Sequence, residues 1–95
     1  MPAVTIDEGR VRHIFRETRG HFADDTDQNR QILVDVASNP ANAVGVDEFG
    51  SVWFALILDD GRQVWALVRD DLILNGGINS TPKTLPPRPS RNRSR

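Results

Sequence analysis

The spacing of apolar residues changes partway along the chain. Between Asp7 and Arg19, Val11, Ile14, Phe15 and Thr18 recur at helical intervals, which predicts a first helix there. Asp7 and Glu8 stand where a helix dipole favours acids, and Gly20 offers a C-terminal stop. Asp24, Asp25, Thr26 and Asp27 are N-cap residue types, and a second helix is expected from them to about Ala37. Its apolar stripe is Ile32, Leu33, Val36 and Ala37. Asn39-Pro40 ends it, because proline disfavours helical geometry in the residue before it.

Beyond that point the pattern is that of strands. Ala43–Val46 is short and apolar, Glu48-Phe49-Gly50 turns the chain, and Val52–Leu58 is a continuous apolar run. Asp60-Gly61 is a two-residue hairpin signal, Gln63–Arg69 is the return strand, and Asp70-Asp71 turns again into Leu72–Leu74. Gly76-Gly77 interrupts this fourth strand, and Ile78-Asn79 resumes it after a bulge. The expected fold is α+β: two N-terminal helices packed on a four-stranded antiparallel meander, within one domain over residues 1–81. From Pro82 onward proline, serine and arginine dominate, so residues 82–95 are expected to be a flexible, disordered tail.

A two-residue turn at Asp60-Gly61 sets Leu58 opposite Gln63 and Val52 opposite Arg69. One face then carries Trp53, Ala55, Ile57, Val64, Ala66, Val68 and Ile73, and should meet the helices. The other carries Val52, Phe54, Leu56, Leu58, Gln63, Trp65, Leu67, Arg69, Leu72 and Leu74, and approaches Asn79. A slip of one residue exchanges the faces.

Charge modifies this picture. The 95 residues carry a net charge of -1, but residues 1–87 hold 8 basic and 13 acidic side chains, a net of -5, and the remaining arginines sit in the tail. The body is therefore not a generally basic nucleic-acid binder, and any polyanion site must be local. The basic cluster of the body is Arg10, Arg12, Arg16 and Arg19, and it contains both histidines, His13 and His21. The chain has no cysteine, so disulfides, thiol catalysis and cysteine-ligated zinc are excluded. No apolar run approaches a membrane span, and the first residues lack a signal-peptide pattern. Export is expected to need a carrier outside this sequence.

Histidine is the usual acid or base near neutral pH. Two of them beside arginines suit phosphodiester cleavage by a ribose 2′-hydroxyl. That reaction needs a base, an acid and a cation for the charged transition state. The same pair also fits ordinary surface or helix-end histidines. Arg30 can grip a phosphate, and Asn29 borders the apolar stripe. Asn79, Ser80 and Thr81 follow a double glycine that lets backbone approach a ligand. Trp65 can stack on a base, or fill the core. No metal-ligand spacing occurs: Asp24, Asp25 and Asp27 lack the later glycine and glutamate of a calcium loop, and neither a phosphate loop nor a serine-hydrolase elbow is found. No cofactor is expected.

The ordered set Arg12-His13-Ile14-Phe15-Arg16, Gly20-His21, Thr26, Asn29-Arg30, Gly45, Asp60-Gly61, Gln63, Trp65, Arg69 and Gly76-Gly77-Ile78-Asn79 resembles C-terminal toxin domains of contact-dependent growth-inhibition and related polymorphic toxins. Those domains are similar to the barnase–EndoU–colicin–RelE superfamily of ribonucleases. The resemblance spans about Val11 to Pro82. It implies a metal-independent ribonuclease acting on tRNA in the cytoplasm of a target cell. Delivery would be by a secreted carrier, and neutralisation by a cognate immunity protein, as a monomer or a toxin–immunity heterodimer. It implies His13 and His21 as the acid–base pair, with either order open, and Thr81 beside them. It also implies Arg12, Arg16, Arg30 and Arg69 on phosphates, and Asn29 and Asn79 as positioning groups. A different class also fits the sequence: a non-enzymatic interaction module, immunity-like or a phage accessory protein, whose apolar sheet face binds a partner.

Overall fold

The computed structural model describes residues 4–87. Its sheet has five strands: β1 Thr5–Ile6, β2 Ala43–Val46, β3 Val52–Ile57, β4 Gln63–Arg69 and β5 Leu72–Asn79. They lie in the order β1-β5-β4-β3-β2. The helices are α1, Val11–Ile14, and α2, Asp27–Ser38, with a 3-10 turn before each of α1 and β2. The α+β class stands, but the four-stranded antiparallel meander does not. β1 pairs with β5 in parallel, Thr5 opposite Leu72 and Ile6 opposite Ile73, which makes the sheet mixed. Two residues are too few to show a strand period. What fixes them is remote: the amides of Thr5 and Asp7 donate to the carbonyls of Asp71 and Ile73, at 3.1 Å each, while Ile6 is buried in the core.

The first helix is shorter than its apolar spacing predicts. It stops after Ile14, because Phe15 turns extended (φ -108°, ψ 104°) and forms a parallel bridge with Phe22. Ile14 and Phe15 are both buried, which one face of a short helix would serve less well than a helix end followed by a strand-like residue. Residues 16–22 then form a closed loop, with the Arg16 amide donating to the Phe22 carbonyl at 2.9 Å. The second helix is where the cap residues place it. Thr26 is the N-cap, and its hydroxyl accepts from the Asn29 amide at 3.0 Å. Leu33, Val36 and Ala37 bury its stripe against Val64, Ala66, Val68 and Ile73.

The β3–β4 hairpin corrects the expected register. Its loop has three residues, Asp59-Asp60-Gly61, between Leu58 and Arg62. The Gly61 amide donates to the Leu58 carbonyl at 2.9 Å, and the Leu58 amide to the Arg62 carbonyl at 2.7 Å. Gly61 has φ +92°, as in a type I turn closed by a left-handed glycine. Ile57 therefore faces Gln63 and Val52 faces Val68, a slip of one residue. Every β3 side chain exchanges faces. Val52, Phe54 and Leu56 join the helix side with Val64, Ala66 and Val68. Trp53, Ala55 and Ile57 join Gln63, Trp65, Leu67 and Arg69 on the opposite side. That opposite face stays apolar at β3, but with Trp53, Ala55 and Ile57 in place of Val52, Phe54 and Leu56, and Trp53 comes to lie beside Trp65.

β5 runs through Gly76-Gly77 without a break. Its irregularity lies earlier, where Asn75 faces Leu67 and Ile73 faces Val68, leaving Leu74 as the extra residue. Gly76 lies on the helix side, where a Cβ would sit 3.0 Å from the Leu33 side chain.

Residues 82–87, expected within a disordered tail, are placed. The Lys83 backbone is held by Gln63, and a Cβ on Gly45 would sit 2.8 Å from the Pro86 ring, so this segment crosses the side of the sheet opposite the helices. The rest of the tail, residues 88–95, lies outside the described residues. Among the described residues no helix is long and apolar enough to cross a membrane.

Candidate functional site

The sheet face opposite α2 gathers the chemistry-bearing residues. Gly20 (φ +89°) turns the 16–22 loop down onto β5. A Cβ on Gly77 would collide there with the Gly20 carbonyl oxygen and with the His21 backbone. A glycine at 77 is thus required for the loop to touch the sheet. The indole N–H of Trp65 donates to the Gly20 carbonyl at 2.9 Å. The His21 ring meets Trp65 edge-on, with centroids 5.5 Å apart and planes at 73°, and Trp53 stacks on Trp65 at 5.6 Å and 20°.

His21 is held at both ring nitrogens. Nδ1 lies 3.0 Å from the Ile14 carbonyl oxygen. A carbonyl only accepts, so Nδ1 carries the proton. In the neutral ring Nε2 is then a bare lone pair, and it accepts from the Arg16 guanidinium at 3.2 Å. Burial disfavours the imidazolium and lowers the pKa below the ordinary 6.5. The backbones of Ile14 and Gly76 oppose this by hydrogen bonding, while the charges of Arg16 and His13 reinforce it. His21 is therefore neutral at neutral pH, with Nε2 unprotonated.

His13 and Arg12 sit exposed in the last turn of α1, and His13 is near enough for its charge to act on His21. Asn79 is buried at the end of β5 and donates to Gln63 Oε1 at 2.9 Å. A Cβ on Gly20 would sit 3.1 Å from Asn79 Oδ1, so Asn79 underlies the same loop. Trp65 is only 8% exposed and filled in by its neighbours, which leaves no open ring face for a base.

The remaining predicted residues do not converge on His21. Arg69 is on the same face but four residues along β4 from Trp65, about 13 Å at strand rise. Its Nε donates to Ser51 Oγ at 3.1 Å. Arg30 is engaged elsewhere: its guanidinium pairs with both oxygens of Asp25 and with Glu8, and lies 5.9 Å over the Phe15 ring. Those carboxylates push its pKa further up, so the side chain is a clamp between α2 and the start of the chain. Asn29 donates to the Asp24 carbonyl at 3.0 Å and so fixes the loop before α2. Thr81 is exposed, two residues beyond Asn79.

Three participants have no role assigned from the sequence. Gln63 grips the Lys83 backbone, donating to its carbonyl at 3.1 Å and accepting from its amide at 3.0 Å. Trp53 reaches the face only in the three-residue register. Asp47 accepts from the Trp53 indole and from the Phe49 and Ser51 amides, at 3.0, 2.9 and 3.0 Å. Partial burial opposes ionisation of Asp47, but these bonds outweigh it and its pKa is lowered. Among the described residues no group of three or more His, Asp or Glu side chains gathers to hold a metal.

Comparison of the chain with protein-family models, with curated proteins and with solved structures finds no match.

Proposed function

We propose that the chain is a metal-independent endoribonuclease of the polymorphic-toxin type, with tRNA as substrate. The observation that supports this best is the bare Nε2 of a neutral His21 beside the Arg16 guanidinium. In this scheme Nε2 takes the proton of a ribose 2′-hydroxyl, and that oxygen attacks the adjacent phosphorus. The bond from phosphorus to the 5′ oxygen breaks, and His13 supplies the leaving oxygen with a proton. Arg16 moves from the imidazole to a non-bridging phosphate oxygen, and Arg12, exposed in the last turn of α1, is a second cation for the phosphate. The products are a 2′,3′-cyclic phosphate and a 5′-hydroxyl. A carrier would deliver the domain to the target cytoplasm, and an immunity protein would mask the His21 face in the producing cell.

The test is incubation of purified protein with total tRNA in chelator. Cleavage is expected, and His13→Ala and His21→Ala should each slow it by about 100- to 10,000-fold while leaving the fold intact. Absence of cleavage by the intact protein rejects the proposal. Normal cleavage by both variants rejects the assigned roles.

One observation favours a second reading, an interaction module. Val46 and Phe49, 63% and 71% exposed, border the free edge of β2, and the acidic pairs Asp47-Glu48 and Asp70-Asp71 cap that end of the sheet. Such a margin suits a basic protein partner. Tight complex formation unaffected by either histidine variant, with no cleavage of RNA, distinguishes this reading from the first.

A further inference from the structure

Trp65 makes contacts that neither a core tryptophan nor a base-stacking platform requires. Its indole N–H reaches out of the sheet to the Gly20 carbonyl, across 45 positions of sequence. Its ring edge meets the next residue, His21, and its far side rests on Trp53. From below, Gly77 is bare so that the same peptide can lie on the strand. The Gly20–His21 peptide is thereby fixed in height by Gly77 and in position by the indole. That placement sets His21 Nδ1 on the Ile14 carbonyl and turns Nε2 outward to Arg16.

We infer that Trp65 is the positioning residue for His21: its indole N–H, through the Gly20 carbonyl, holds the imidazole in the tautomer that leaves Nε2 bare. The assignment of His21 as the base of the ribonuclease rests on the function proposed above. The placement of the ring does not, and can be measured without turnover. The full charges that act on the titration of His21 are those of Arg16 and His13, both in the N-terminal segment, and the backbones of Ile14 and Gly76 act on it by hydrogen bonding. The sheet beneath contributes Trp65, Gly76 and Gly77, none with a charged side chain, and of these the Gly76 backbone favours the imidazolium by hydrogen bonding. A change in His21 titration on altering Trp65 therefore reports the seating and burial of the ring, not a lost charge, and the tautomer reports its position.

The experiment is imidazole nitrogen NMR of the full chain across pH, on wild type, Trp65→Phe, Trp53→Phe and Gly77→Ala. Wild-type His21 should show the Nδ1-protonated tautomer and titrate below 6.5, the ordinary histidine value. Trp65→Phe keeps an aromatic ring on Trp53 but loses the N–H. His21 should then titrate closer to its ordinary value and lose the single tautomer. Gly77→Ala, which displaces the same peptide from the strand side, should do likewise. Trp53→Phe, which does not reach Gly20, should leave both readouts unchanged. If Trp65→Phe cuts RNA, the acid limb of its pH–rate profile should move in the same direction. An Nε2-protonated tautomer in wild type overturns the inference with no variant needed. So does a folded Trp65→Phe whose His21 titrates as in wild type. Should wild type fail to cut RNA while the titration shifts as described, the proposed function fails and the positioning role stands.

Discussion

At the residue scale the molecule turns on which atom of His21 carries the proton. The Ile14 carbonyl decides it, because a carbonyl cannot donate. The consequence for stability follows from the direction of the shift. The folded-state pKa of His21 lies below the unfolded value of about 6.5, so the unfolded chain takes up the proton first. Stability should fall as pH drops through 6.5 toward the folded pKa, and His21→Gln should flatten that part of the profile in urea titrations at a series of pH values. Asp47 acts at lower pH in the same sense: its depressed pKa gives stability that is present above its ordinary value of 3.8 and lost on further acidification. Asp47→Asn should remove that acid dependence and loosen Trp53, visible as a change in tryptophan fluorescence.

At the element scale the β3–β4 hairpin carries the largest consequence. Asp60-Gly61 marks the turn in the sequence, but the pair of residues is shared by two-residue loops and by three-residue loops that end on a left-handed glycine. Only the backbone bonds around Leu58 and Arg62 separate them, and sequence spacing does not report those. One residue of loop length moved Trp53 onto the site face and Phe54 and Leu56 off it. β1 was illegible for a different reason, since two residues carry no period and their partner strand lies more than sixty positions away. The second helix was legible because Thr26, the Leu33 stripe and Asn39-Pro40 agree locally. Two substitutions check these elements by urea unfolding. Gly61→Ala should cost roughly 1–2 kcal/mol, since an L-residue resists that backbone geometry. Leu33→Ala should cost about 2–5 kcal/mol, because Leu33 is fully buried and also packs on Gly76.

At the scale of the whole molecule, charge is segregated. Most acids occupy the sheet turns, Asp47-Glu48, Asp59-Asp60 and Asp70-Asp71, and the approach to α2, while Arg10, Arg12, Arg16 and Arg19 share the segment that carries both histidines, with Glu17 among them. A net charge therefore says little about the potential at His21, and binding of RNA there should weaken with added salt. The candidate site was legible in the sequence as residue types, His13, His21 and their arginines. It was not legible as an arrangement, because the loop that seats His21 depends on Gly77 and Trp65, far along the chain. Residues 82–87 belong to the same assembly. Gln63 ties Lys83 to the sheet and also holds Asn79 beneath the Gly20 turn. Gln63→Leu leaves those groups unpaired, at about 1–3 kcal/mol for each that stays buried, and the Lys83 amide should then exchange its hydrogen much faster.

If His21 is the base of a cleavage that needs no metal, as proposed, the attacking group is the ribose 2′-hydroxyl and the cut ends record it. The most direct measurement is the chemistry of the cut ends, read by mass spectrometry of tRNA fragments produced in chelator. The wild-type chain should leave 2′,3′-cyclic phosphate and 5′-hydroxyl ends, and His21→Gln should leave no new ends. Fragments ending in 3′-hydroxyl and 5′-phosphate, or intact tRNA after incubation with the wild-type chain, would contradict the proposal.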